Sequence, residues 1–155
     1  GGITFDGTDL VRHLKGCSSL LLFAATLGVE ADRMARMESL RSMARGSMVH
    51  AAGAAMIEQY CDDVQEALST EYEARGLYLR PRYSPGYGDL SLSRQAGFFR
   101  LLELPKRLGL SLNEHFIMTP SKSVTAVIGI SAEPKKSFRK CRNCGRIDCP
   151  FRREG

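Results

Sequence analysis

The apolar positions of this chain recur with two different periods, and the periods place its elements. Thr8-Asp9 opens a short helix through Lys15. Thr8 offers a hydroxyl cap, Asp9 an acidic first turn, Leu10, Val11 and Leu14 an apolar edge, and Gly16 a stop. Residues 20–25 are uniformly apolar, which predicts a central strand covered on both faces, with Gly28 ending it. From Glu30 to about Arg75 the spacing turns helical. Met34, Met37, Leu40 and Met43 recur at three- and four-residue steps, and Ala52, Met56, Ile57, Tyr60, Val64 and Leu68 continue the stripe. The methionines at 34, 37, 43, 48 and 56 are therefore expected in the core. Gly46, Gly53 and several alanines thin one face, so the helix can lie close to a sheet. A break is expected near residues 39–42.

Residues 80–90 are dense in Pro, Gly and Tyr and read as a loop. Ser91 or Ser93 then caps a helix carrying Phe98, Phe99, Leu101 and Leu102. Pro105 fits the first turn of another short helix, ended by Gly109. Residues 116–118 and 124–130 are β-prone, with Thr-Pro-Ser-Lys-Ser between them, and predict a hairpin or two neighbouring strands. Helix, strand, two helices and late adjacent strands together predict an α+β fold: long helices packed on a mixed or antiparallel twisted sheet.

Composition narrows this to one domain. At 155 residues, 43% hydrophobic and 25% charged, the chain is long enough for a sizeable core and ordinary for a globular protein. Its longest apolar run, residues 20–27, is too short to cross a membrane and follows no signal peptide. The net charge of +5 is uneven, because residues 135–153 hold eight Lys or Arg against Asp148 alone. A near-neutral body, residues 1–133, is thus expected to carry a basic tail, residues 134–155, and nucleic acid is a poor candidate partner. Five cysteines, three of them within nine residues, argue against a disulfide framework and for a reducing, cytoplasmic setting. Gly1-Gly2 reads as a trimmed start.

The stretch most able to do chemistry is Arg80-Pro-Arg82-Tyr83-Ser84-Pro85-Gly86-Tyr87-Gly88-Asp89. Pro85-Gly86 suits the centre of a type II turn, and two prolines stiffen the loop. Such a loop can hold a guanidinium fork matched to a carboxylate. On chemistry alone it is equally a rigid connector with packed tyrosines and solvated arginines.

The string RYSPGYGD is similar to the Arg-x-x-Pro-Gly-Tyr loop of the activation domain of cobalamin-dependent methionine synthase. Residues 116–126 resemble the strand pair that comes after it in that family, and residues 22–28 with Asp32-Arg33 the strand and helix start upstream. In the family's order these segments cover roughly residues 3–131. The resemblance implies a C-shaped α+β domain that binds S-adenosylmethionine in a shallow groove. It implies support for reductive remethylation of cob(II)alamin on a methionine synthase or another corrinoid protein, with a reductant such as flavodoxin or ferredoxin. In this reading Arg82 holds the donor's carboxylate, and the backbone of Ser84, Pro85 and Gly86 contacts the donor. Tyr87 lies near the transferring methyl, and Glu58 near the positively charged end, opposite Arg82. Without the resemblance, Glu58 is a plain helix carboxylate. The family's other acidic ligand and its corrinoid, folate and homocysteine domains have no counterpart here, so the module is expected to act in trans as an accessory to a methyltransferase.

Cys141, Cys144 and Cys149 form a C-x2-C-x4-C run among cations. It reads either as a zinc or iron–sulfur site, with Cys17, Cys61, His50 or His115 as fourth ligand, or as free redox-active thiols. A competing function is therefore a metal- or cluster-bearing electron-transfer adaptor working through this tail. His13, His50 and His115 are otherwise expected to be structural, and Lys122 to lie in a solvated turn.

Overall fold

The computed structural model describes residues 5 and 7–134. Its centre is an antiparallel sheet in the order β1 (Ser19–Thr26), β5 (Ser123–Ser131), β2 (Tyr78–Leu79). β5 pairs with β1 along eight residues, from Ser19 opposite Ile130 to Thr26 opposite Ser123. Helices cover both faces, so the strands alternate between two cores. Phe23, Ala25, Ala126 and Ile128 point to one side, against Ile57 and Cys61 of α3 (Met43–Glu73). Val127 points to the other, among Phe98, Phe99, Leu104 and Leu110 from α4 (Gln95–Leu101), α5 (Leu104–Leu108) and the segment after it. Full burial of a side chain such as Phe98 is worth roughly 1.5–3 kcal/mol. The α+β antiparallel architecture is as expected. The apolar run 20–25 is not the central strand, however. β5 lies between β1 and β2, and β1 is apolar on both faces because both layers reach it.

The expected break divides α2 (Val29–Arg41) from α3, with Ser42 in extended backbone between them. Gly46 lets the two helices meet, since a Cβ there would collide with Ser39. The methionine stripe is a correction. Met34, Met37, Leu40, Met43, Met48, Met56 and Tyr60 are all exposed, and the buried row is Ala35, Gly46, Gly53, Ile57 and Cys61. α3 lies so close to the sheet that only a narrow strip is covered, and that strip runs one residue later than the Met56–Tyr60 row. Lys122 is a second correction: it is buried, its stem crosses Gly53, and its ammonium reaches the ring nitrogens of His50 at 3.0 and 3.2 Å.

The β-prone segments 116–118 and 124–130 do not pair with each other. β4 (Met118–Thr119) joins β3 (Ser111–Leu112) in a separate ribbon, and a cis Thr119–Pro120 bond redirects the chain into β5. Ser91 caps a 3-10 turn, Leu92–Arg94, by accepting from Ser93 N at 3.3 Å. Pro105 lies in the first turn of α5, and Gly109, with φ of 65°, ends it.

α1 (Thr8–His13) is not capped by Thr8. Its cap comes from Asp89, whose carboxylate accepts from Thr8 N at 2.6 Å, Thr8 Oγ1 at 2.8 Å and Asp9 N at 3.2 Å. A carboxylate at a helix start satisfies orphan N–H groups and complements the dipole. The Thr8 hydroxyl bond is the largest cause holding the Asp89 carboxyl below its ordinary pKa, outweighing desolvation, and the backbone bonds add to it. A depressed folded-state pKa gives stability that is present above the unfolded value and lost as pH falls through the folded one. The Asp89→Asn chain should therefore unfold at lower urea than wild type near pH 7. The two midpoints should converge in acid, below about pH 4; a gap independent of pH would exclude this carboxylate as the source.

Candidate functional site

The site begins with a phase shift in the strand register. β2 pairs Tyr78 with Ser131 and Leu79 with Ile130, and Arg80 N continues the ladder to Gly129 O at 2.8 Å. The next paired residue is Tyr83, bonded both ways to Val127 at 2.9 and 2.8 Å. Pro81 and Arg82 thus face Ile128 together, a β-bulge with one extra residue. Pro81 has no N–H to offer the ladder, which suits it to a bulge. The extra residue re-aims the side chains beyond it. Strict alternation would send Arg82 toward α1; the bulge turns it toward α3 and returns Tyr83 to the α1 side.

On the α3 side Arg82 is nearly covered, its side chain 13% exposed. Nη1 donates to Cys61 O at 2.7 Å and Gln65 Oε1 at 3.1 Å, and Nη2 donates to Asp62 Oδ1 at 2.7 Å. Glu58 Oε2 stands 3.6 Å from Nη2, and the guanidinium carbon lies 6.0 Å from the Phe23 ring centre. Glu58, Asp62 and Glu66 succeed one another at helical steps of four, so α3 lines the guanidinium with acids. Beside it opens a cleft of about 410 Å³, lined by Asp62, Gln65, Glu66, Ser69, Pro81 and Arg82. Fixed neutral acceptors orient the cation, while the exposed carboxylates of Asp62 and Glu58 share its charge.

The turn after Arg82 has the expected form. Tyr87 N donates to Ser84 O at 3.2 Å, and Gly86, with φ of 92°, takes the position where type II turns need a positive φ. Gly86 N and Leu90 O close the loop at 2.8 Å. Tyr83 and His13 rings meet at 5.2 Å, His13 Nε2 lies 2.8 Å from Pro81 O, and the Tyr83 hydroxyl donates to Tyr87 O at 3.3 Å. Burial, assisted by the Asp9 and Asp89 carboxylates, pushes the Tyr83 phenol above its usual pKa, so it stays a donor. Tyr87 is 60% exposed, its ring edge-on to Tyr83 at 6.4 Å.

Of the sequence-predicted residues, Glu58 and Arg82 come together, and Ser84, Pro85, Gly86 and Tyr87 form one turn immediately after them. Glu58 is not set apart from Arg82; their charged groups form an ion pair. Sequence reading missed Asp62 and Gln65, which the four-residue spacing from Glu58 and the seven-residue spacing could have signalled, and it gave Asp89 no role. Cys141, Cys144 and Cys149 lie outside the described residues. Cys61, a suggested fourth ligand, is buried beneath Arg82. Desolvation is the main cause raising its thiol pKa; Arg82 opposes this, while Glu58 and Asp62 reinforce it. Among the described residues no three His, Cys, Asp or Glu side chains gather as a metal site. No helix among them is long and apolar enough to cross a membrane.

Residues 20–148 match the family model described as vitamin B12 dependent methionine synthase, activation domain. A solved structure described as the MetH reactivation domain bound to AdoHcy is similar at a TM-score of 0.62 and 25% identity. The alignment covers 76% of this chain and 41% of that one, so this chain spans about two fifths of that structure's length. No curated protein matches the chain.

The bulge is open to direct test. A crystal structure of the chain lacking Pro81 should show an unbroken ladder in which Arg82 alone faces Ile128, still on the α3 side and still bonded to Cys61 O and Asp62. Arg82 turned to the α1 side, or Tyr83 shifted off Val127, would mean that Pro81 is not the extra residue of a bulge.

Proposed function

This chain belongs to the vitamin B12 dependent methionine synthase activation domain family, and from that premise we propose that it binds S-adenosylmethionine and supports reductive remethylation of cob(II)alamin. The observation that carries the reading is Arg82, oriented by Cys61 O and Gln65 at the edge of an acid-lined cleft and succeeded at once by the Ser84–Tyr87 turn. The donor set fits this ligand's charges. A carboxylate finds a guanidinium, and the ammonium and sulfonium find Glu58, Asp62 and Glu66 on α3. The AdoHcy bound by the related reactivation domain, a thioether of the same skeleton, supports the same ligand class.

When bound, S-adenosylmethionine supplies an activated methyl group, and the corrinoid of the partner supplies the metal that accepts it. This chain's own contribution is positioning. Arg82 exchanges the exposed Asp62 carboxylate for that of the ligand without moving, because its Nη1 stays fixed by neutral acceptors. Glu58 and Asp62 attract the cationic centre. The backbone of Ser84, Pro85 and Gly86 borders the ligand, and the exposed Tyr87 stands where a partner's cofactor can approach. The partner is a cobalamin-bearing methionine synthase or related corrinoid methyltransferase, with an external one-electron reductant.

Isothermal titration of the chain with S-adenosylmethionine tests the assignment. Arg82→Ala should weaken binding by roughly 10- to 150-fold, the equivalent of about 1.5–3 kcal/mol for hydrogen bonds to a charged group. Removing residues 134–155 should leave the affinity unchanged. If the tail deletion abolishes binding while Arg82→Ala does not, the site is misplaced.

A further inference from the structure

Two residues before Arg82, a second arginine is buried in the opposite layer. Arg80 is 5% exposed, and its Nε and Nη1 are buried with no hydrogen-bond partner. Its backbone is satisfied, N by Gly129 O and O by Gln65 Nε2 at 3.1 Å, so the unmet donors belong to the guanidinium alone. The side chain runs across Gly129 on the face turned away from α3. A Cβ at 129 would stand 2.5 Å from Cys17 Sγ, 2.9 Å from Leu14 Cδ2 and 3.1 Å from Arg80 Cγ. The missing side chain at 129 is therefore what makes room for the arginine stem.

Guanidinium does not shed its proton near neutral pH, so burial cannot neutralise it as it can a lysine. A buried charge without a partner is among the most unfavourable arrangements a fold can hold, and native proteins supply a counter-charge. Among the described residues no carboxylate pairs with Arg80: Asp62 and Glu58 pair with Arg82 on the other face of the sheet, and Asp89 caps the start of α1. We propose that Arg80 forms the floor of a second binding site, for an oxyanion carried by a small molecule, carboxylate or phosphate. Several oxygens on a rigid frame match the donors of a guanidinium better than a lone neutral acceptor does. This site is on the other face of the sheet from the Arg82 cleft and does not depend on the reading of that cleft.

Thermal melts of the full chain in sodium phosphate and, separately, sodium acetate, each against chloride at equal ionic strength, test the proposal. Either anion should raise Tm saturably, by about 4 °C at ten times its half-saturating concentration. The better one identifies the phosphate or carboxylate class. Arg80→Met, which keeps the stem and removes the donors, should abolish the rise and leave S-adenosylmethionine affinity unchanged. Should that variant not fold, the Arg80 Nε–H resonance of the wild-type chain should shift on titration with phosphate or acetate. A wild-type chain indifferent to both anions overturns the site, as does an equal response in Arg80→Met or a titration that leaves that resonance still. An adventitious ion elsewhere, or an acceptor supplied by the chain itself, would be the remaining explanation.

Discussion

One extra residue in one strand governs the geometry of this molecule. Between Arg80 opposite Gly129 and Tyr83 opposite Val127, two residues face one, and the alternation of side chains changes phase. Ahead of the shift Arg80 is delivered to the α1 layer. Within it Pro81 and Arg82 share the α3 face, and after it Tyr83 returns to α1 and packs at a tilt against His13. Two arginines only two positions apart therefore enter different layers with different surroundings. An edge strand of uniform register could not present them so.

The loop after the bulge is held from both ends. Asp89 anchors it to the start of α1, and Tyr83 with His13 anchors it to the end of the same helix. α1 is only six residues long, too short to be stable alone. Loop and helix thus stabilise one another, and the Ser84–Tyr87 turn inherits a fixed position from the pair. The same mutual dependence appears at Asp32, which accepts from Ser121 N and Oγ and so ties α2 to the loop entering β5. Burial acts to raise that carboxyl's pKa, but the Ser121 bonds, with Lys122 and His50 nearby, hold it below the ordinary range.

The charges around Arg82 separate into fixed and exchangeable groups. Cys61 O and Gln65 belong to the helix and its covered face, so they set the orientation of the guanidinium. Asp62 and Glu58 are more than 60% exposed, and pairs with exposed partners contribute at most about 1 kcal/mol. A ligand carboxylate that displaces Asp62 gives up little, whereas reorienting the guanidinium would break bonds within the fold. That difference makes the site receptive without making it loose.

The sequence alone determined whatever rests on local backbone preference. The type II turn at Pro85-Gly86, the start of α5 at Pro105 and its stop at Gly109 arise from residue-specific φ values and missing N–H groups, which act within a few positions. Family resemblance carried the loop and Glu58 further than spacing could. Tertiary structure decided which surfaces those elements bury. The row through Ile57 and Cys61, not the methionine row beside it, meets the sheet, and Gly53 on that row leaves room for the stem of Lys122. β5 rather than β1 is central because two strands from distant parts of the chain pair with it. Asp89 caps α1 across eighty residues, and a single bulged residue chooses the layer of Arg82. Periodicity reports how a segment coils or extends; the identity of its buried face is a property of its neighbours, which local spacing does not contain.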